Sequence, residues 1–140
     1  MKLVMVFGTF DFVHLGHVNF FNQASRLGDK LTVVVARDSN VKRMKGKKPF
    51  FNERERLAMV QTLRVVDQAV LGDSKDFFAA VRKFKPAIIA LGYDQKVLFV
   101  KHIREKLDEL GLQHTKLVRL KPFQPGKFKS SKIKKLLKIN

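Results

Sequence analysis

The sequence predicts an α/β protein, a single domain over residues 1–140 in which a doubly wound, parallel sheet of about five strands lies between helices. Three observations predict it. Apolar runs of strand length recur at Leu3–Phe7, Leu31–Ala36, Asp67–Leu71, Ala87–Leu91 and His114–Leu120. The segments between them carry apolar residues at helical spacing, and turn residues separate the two kinds. Strands that alternate with helices make βαβ units and a mainly parallel sheet, and right-handed crossovers wind it into a sandwich.

Taken in order, Leu3–Phe7 is continuous and apolar, as a strand buried on both faces should be. Val18, Phe21, Ala24 and Leu27 then form the stripe of a first helix. Leu31–Ala36 is a β-branched second strand, closed by Arg37-Asp38-Ser39-Asn40. A lysine-rich, turn-like loop follows from Val41 to Pro49. Asn52 can cap a helix from about Glu53 to Arg64, with Leu57, Val60 and Leu63 inward and Glu53 and Glu55 at its positive end. After the short strand Asp67–Leu71, a helix is expected over Lys75–Phe84 with Phe77, Phe78, Val81 and Phe84 inward; Pro86 ends it. Ala87–Leu91 is followed by Gly92-Tyr93-Asp94, then by a helix over Lys96–Leu110 striped with Val97, Val100, Ile103, Leu107 and Leu110 and stopped by Gly111. His114–Leu120 is the fifth strand, and a loop over Lys121–Lys129 leads to a last helix starting near Ser130 or Ser131.

Composition narrows the class. A chain of 140 residues, 45% hydrophobic, is enough for a two- or three-layer core. The absence of cysteine excludes disulfides, thiolate metal sites and a cysteine nucleophile. No apolar run nears the ~20 residues that span a bilayer, and no signal peptide is evident, so a soluble, cytoplasmic protein is expected. The charge is less ordinary: 29 Lys and Arg against 12 Asp and Glu, a net +17. Nine basic and no acidic residues lie between Lys116 and Asn140, and eight basic against three acidic between Arg37 and Arg56. Polyanionic company is implied, whether nucleic acid, acidic lipid or nucleoside polyphosphate. A nucleic-acid-binding module would use the charge, but no motif of that class is present and it leaves the histidines unexplained.

The chemistry gathers in Gly8-Thr9-Phe10-Asp11-Phe12-Val13-His14-Leu15-Gly16-His17, where the first strand gives way to the first helix. In an open α/β sheet ligands bind there, and a helix N-terminus attracts anions. The glycines fit neither Gly-x-Gly-x-x-Gly nor a Walker loop. What remains is a turn whose amides and two imidazoles, about one helical turn apart, can face phosphate oxygens. The loops after strands one, four and five, which carry this motif, Gly92–Asp94 and Arg119 onward, should converge on one edge of the sheet. His102 and His114 have no comparable setting. Phe50, Phe51, Phe123 and Phe128 fall in loops, where one or two could stack on a flat ring.

Gly8-Thr9-Phe10-Asp11 with His14-Leu15-Gly16-His17 resembles the signature of the cytidylyltransferase-like nucleotidyltransferases, which have a Rossmann-like fold. Lys45 and Lys47 are similar to the loop lysines of glycerol-3-phosphate cytidylyltransferases. Arg56, Arg64 and Asp67 resemble their arginine-bearing helix and following Val-Asp, and Gly92-Tyr93-Asp94 their Gly-x-Asp. The archaeal FAD synthases resemble the chain more closely, through Val35–Asp38, Lys45-Gly46, Lys48-Pro49, Val66-Asp67, Gly72 and Ala90–Gln95. The cytidylyltransferase run Arg-Thr-x-Gly-x-Ser-Thr-Thr is altered: Ser130-Ser131 is kept, but its distance from Arg119 is not, which weakens CTP as the nucleotide.

The resemblance implies transfer of a nucleoside monophosphate from a triphosphate to a phosphorylated acceptor with release of pyrophosphate. AMP transfer from ATP to FMN comes first. CTP-dependent transfer to glycerol 3-phosphate is the alternative, and another adenylyltransferase acting on a phosphosugar or pantetheine phosphate comes third. Such chemistry needs positioning and charge neutralisation more than proton transfer. His14, His17 and Lys45 are the expected catalytic residues. Gly8, Thr9, Phe10, Asp11, Leu15, Gly16, Lys47, Gly92, Asp94, Arg119, Ser130 and Ser131 are expected, with the histidines, around the nucleotide. Mg²⁺ or another divalent ion is expected to bridge the triphosphate rather than sit in a protein cage, with Asp11 holding the turn or assisting the metal. Relatives commonly form homodimers, and a free sheet edge would permit one here.

Overall fold

Alternation along the central strands decides which side chains face which layer. A computed structural model describes residues 1–124, 126–127 and 129–137. Five parallel strands, β1 (Leu3–Gly8), β2 (Lys30–Val35), β3 (Gln68–Leu71), β4 (Ile88–Leu91) and β5 (Lys116–Arg119), pair in the order β3-β2-β1-β4-β5. The register runs Leu3 against Lys30 to Gly8 against Val35, and Leu91 against Arg119. Successive side chains of a strand point to opposite faces. Val4, Val6, Val33 and Val35 therefore pack under α1 (Leu15–Ser25) and α3 (Glu53–Gln61), where Phe21, Ala24 and Val60 are buried. Met5, Val34, Ile89 and Leu91 meet the opposite layer, α4 (Ala79–Phe84) and α5 (Val97–Glu109), with Val81, Ile103 and Leu107 buried. The doubly wound sandwich is the one expected.

The connections depart from expectation in instructive ways. Val41–Pro49 is not all loop: Asp38–Lys45 forms a helix, α2, with Asp38 in its first turn and Lys42, Arg43 and Lys45 in its last. Charge placement complements the helix dipole, and Gly46, left-handed at φ 82°, terminates it as glycine can at no steric cost. The helix expected over Lys75–Phe84 starts only at Ala79. Asp73 accepts hydrogen bonds from the N–H groups of Lys75 and Asp76, and Asp76 from that of Phe78, so these side chains satisfy the backbone in turns. Phe77 consequently stays 43% exposed instead of packing inward, though its ring stacks on Phe7 at 4.7 Å. Val97, expected on the inner stripe of α5, lies in its first turn and is exposed. A last helix, α6, spans Ser130–Leu136.

All strands run the same way, so every strand-to-helix loop leaves the same edge of the sheet. The chain winds outward from β1 through β2 to β3 on one side, then crosses to β4 and β5 on the other. The loop after β1 stands at that switch point, where open α/β sheets bind ligands. Among the described residues, no helix is long and apolar enough to cross a membrane.

A candidate nucleotide-transfer site at the switch point

The turn after β1 is tightly wound. A Cβ on Gly8 would lie 2.6 Å from the Phe10 ring, so only glycine lets the buried ring fold back over the strand end. Phe10 and Phe12 adopt φ 55° and 53°, a left-handed conformation that bulky residues avoid and that costs on the order of 1–3 kcal/mol each. Asp11, between them, is 3% exposed. Its carboxylate accepts from the N–H groups of Phe50 (2.8 Å) and Phe51 (3.1 Å) and pairs with Lys134 of α6 at 2.5 Å. Burial pushes the Asp11 carboxyl up, but Lys134 and then the two amides outweigh it and hold the group below its usual range.

His14 and His17 cap the first helix in place of the usual hydroxyl and carboxylate. His14 Nδ1 accepts the Gly16 N–H at 3.0 Å, and His17 Nδ1 accepts the His14 N–H at 3.3 Å. A neutral imidazole has one donor and one acceptor nitrogen, so accepting at Nδ1 leaves the proton of each ring on Nε2. The rings stack with centroids 4.0 Å apart, and the Phe10 edge meets His17 at 5.5 Å. Desolvation lowers the pKa of both; for His17, with His14 adding to the effect and Asp11 opposing it, the value falls to about 3. The pair is thus neutral at physiological pH and carries a proton on each Nε2 beside a helix N-terminus. Such groups can hold phosphate oxygens and strengthen that hold as negative charge builds.

Cations from distant sequence flank the pair. Lys45, last residue of α2, is exposed, yet partial desolvation and then Lys134 and Arg56 pull its ammonium below the ordinary value, against Asp11 and Asp94. The two basic blocks, separate in sequence, therefore meet at Lys45 and Lys134. Lys47 lies exposed just beyond. Arg56 is 1% exposed and ties three segments together. Its Nε donates to the Phe51 carbonyl at 3.0 Å, one terminal nitrogen to the Thr9 carbonyl at 2.8 Å, and the other to Asp38 at 2.8 Å. Beside it, Glu53 pairs with Arg37 and accepts the Asp38 N–H, closing a polar network under the signature turn.

Across the switch point, one Arg119 terminal nitrogen gathers the carbonyls of Gly92 (3.3 Å), Tyr93 (3.0 Å) and Gln95 (2.7 Å). The expected nucleotide residues Gly92, Asp94 and Arg119 are therefore one unit: Arg119 shapes the turn that carries Asp94. Gln23 of α1 exchanges two hydrogen bonds with the Lys121 backbone, fixing where the chain goes next. Ser131 is exposed at the start of α6, one turn before Lys134; the side chain of Ser130 and all of Phe128 lie outside what is described. Leu15 is 57% exposed at the first position of α1. Arg64 lies elsewhere, exposed beside a shallow cavity with Val18, Asn22, Leu63 and Val65.

Two side chains make contacts at the signature turn that the sequence reading does not place there. Lys134 is hidden in a lysine-rich tail, although its place three residues after Ser131 puts both on one helical face. Arg56 is named in sequence only through its resemblance to an arginine-bearing helix, although it precedes Val60 by four and so shares the inward face.

Comparisons with known proteins agree with this geometry. The Cytidylyltransferase-like family model matches residues 5–136. The FAD synthase of Thermoplasma volcanium is 43% identical over 135 residues, 96% of this chain and 93% of the relative. That of Aciduliprofundum boonei is 49% identical over 123 residues, 88% of this chain and 80% of the relative. A crystal structure described as the lipopolysaccharide core biosynthesis protein from Thermoplasma volcanium superposes with TM-score 0.81 at 44% identity, covering 89% of this chain and 99% of that one. The motif at the switch point, the sheet order and the sequence match over almost the whole length lead to one statement: the chain belongs to the cytidylyltransferase-like nucleotidyltransferase family.

Proposed function

We propose that the protein is an FAD synthase, transferring AMP from ATP to the phosphate of FMN with release of pyrophosphate. The observation that carries this reading is the stacked His14–His17 pair, whose Nδ1 atoms are both occupied by backbone amides so that both Nε2–H groups serve as donors. The FAD synthase names of the relatives choose the substrates.

In the reaction an FMN phosphate oxygen attacks the α-phosphorus of ATP in line, the bond to the bridging oxygen breaks, and pyrophosphate leaves. The nucleophile is already an anion, so no general base is required. His14 and His17 donate to the α-phosphate as its charge rises, with the α1 N-terminus behind them. Lys45, Lys47 and Lys134 neutralise the triphosphate and acceptor phosphate. The turn Gly92–Gln95, held by Arg119, positions Asp94 toward the nucleoside. Mg²⁺, the divalent ion expected, arrives with ATP as substrate complex. Among the described residues no three His, Cys, Asp or Glu side chains cluster to cage a metal, and the Asp11 carboxylate is engaged by Phe50, Phe51 and Lys134. We place the reaction in the cytoplasm, where ATP and FMN are available.

Pyrophosphate release from ATP or CTP, each with FMN or glycerol 3-phosphate, tests the reading. ATP with FMN should be the productive pair; turnover only with CTP and glycerol 3-phosphate would refute the substrate assignment. His17→Ala should lower kcat about 10²–10³-fold while its circular dichroism stays that of the wild type. An unimpaired kcat would remove His17 from the catalytic role.

A further inference from the structure

Three phenylalanines beside the transfer site form a cluster that phosphate chemistry does not use. Phe12, Phe50 and Phe51 have ring centroids 5.2, 5.1 and 4.9 Å apart. Phe50 nevertheless leaves 56% of its surface in water. The cluster is not a loosely collapsed loop. Asp11 grips the backbone of Phe50 and Phe51, Arg56 holds the Phe51 carbonyl, and Phe12 is kept at φ 53° despite its bulk. A cavity of about 200 Å³ opens beside Phe12 and Phe51 toward Met59, which is itself 55% exposed. The Lys134 ammonium stands 5.7 Å from the Phe12 ring centre.

Resting on the FAD synthase reading, we propose that this cluster is the bed of the FMN isoalloxazine ring, with Phe50 as the side chain that stacks on it. FMN joins a dianionic phosphate to a broad, flat, poorly hydrated ring system through a short polyol chain. Its binding site needs cations and an apolar plane within one molecule's reach. The chain places apolar ring surface and the phosphate site within four residues of sequence: Phe12 lies in the cluster, with the Phe50 ring tilted 32° from its own, Asp11 anchors the backbone of Phe50 and Phe51, and His14 begins the phosphate site. Position favours the acceptor over adenine. The cluster belongs to the β1 turn and the segment entering α3, on the β2–β3 side of the switch point. The Gly92–Gln95 turn and Arg119 belong to the β4–β5 side. Two substrates meeting at one phosphorus require two beds, and the three-ring cluster lies on the first of these sides.

Phe50 is exposed, so its replacement tests the ring and not the fold. Phe50→Ala should raise the KM for FMN about ten-fold, leave the KM for ATP unchanged, and weaken binding of lumiflavin (the ring without ribityl phosphate) by a similar factor in equilibrium dialysis. Phe50→Trp should restore both. Lumiflavin binding that is absent from the wild type or indifferent to Phe50→Ala overturns the proposal, as does a shift in the KM for ATP alone, which would put adenine on the platform. Phe50-dependent lumiflavin binding in a protein that fails to adenylylate FMN would sustain the platform while refuting the substrate assignment. FMN turnover unaffected by Phe50→Ala would do the reverse.

Discussion

His17 is neutral because folding buries it beside a second imidazole, and this has a consequence for stability apart from catalysis. Its pKa is about 3 in the folded protein against 6.5 in the unfolded chain. Between those values the unfolded state binds more protons, so stability must fall as the pH drops from about 6.5 toward 3. A single such group gives a slope of up to about 1.4 kcal/mol per pH unit within that window. His14, lowered in the same direction, adds to it. Asp11 and Glu53 act in another range: their carboxyls are lowered, so their contribution is present above about pH 4 and is lost as the pH falls further. Urea unfolding of wild type and His17→Gln at pH 7, 6 and 5 should separate the two sets. The stability difference between the proteins should shift in favour of the variant on acidification; a difference that stays constant across the series would mean that His17 is not buried neutral. The proposed role of His17 draws on the same neutrality, since a neutral Nε2–H donor needs no acidic pH to be present.

Elements are joined at this site by side chains whose contacts apolar periodicity does not report. The strands, their parallel direction and most of the helix stripes were legible because apolar runs and spacing report burial: Leu3–Phe7 and Leu31–Ala36 are continuous, as strands buried on both faces are, whereas Phe77 and Val97, expected inward, stay exposed. The signature turn was legible because its glycines and histidines have few other uses together. What periodicity does not report is a polar group that replaces a backbone hydrogen bond. Asp73 and Asp76 therefore shorten α4 unannounced, and Asp38–Lys45 folds as a helix although its lysines read as a loop. Arg56 is the largest instance, since a buried guanidinium on α3 links Thr9, Phe51 and Asp38. Arg56→Met keeps the volume but leaves Asp38 without its cation and two carbonyls without donors. Removing one partner of a fully buried pair costs about 3–5 kcal/mol; Asp38 keeps 26% of its side chain exposed, so this variant should lose no more than the lower end of that range in urea unfolding. Arg56→Lys, retaining the charge but not the fork, should fall between. On the proposed mechanism, activity in the lysine variant should drop further than its stability does, because Arg56 holds the Thr9 and Phe51 carbonyls of the signature turn and the segment beside it; equal losses in both would make Arg56 a fold residue and nothing more.

Across the whole molecule, a net +17 needs a reason for being tolerated, since self-repulsion opposes compactness. The fold supplies one by concentration. The last turn of α2 and the helix α6 are distant in sequence, and Lys134 is close enough to Lys45 for its charge to lower the Lys45 pKa. Asp11, ion-paired with Lys134, and Asp94 oppose that effect at Lys45. Binding of ATP and FMN adds further anions. Two effects of salt follow from this, and they differ in kind. Screening shortens the reach of exposed charge from about 10 Å at 0.1 M to about 3 Å at 1 M, so the KM for ATP and for FMN should rise roughly three- to ten-fold between 0.05 and 0.5 M KCl. Lumiflavin carries no phosphate, and its affinity should be flat or slightly stronger over the same range. The chemical step occurs among groups already in contact with bound phosphate, so kcat should move much less than either KM. Parallel losses in kcat and in lumiflavin affinity would mean that salt loosens the fold itself, whereas flat KM values would mean that the basic blocks do not face the substrates.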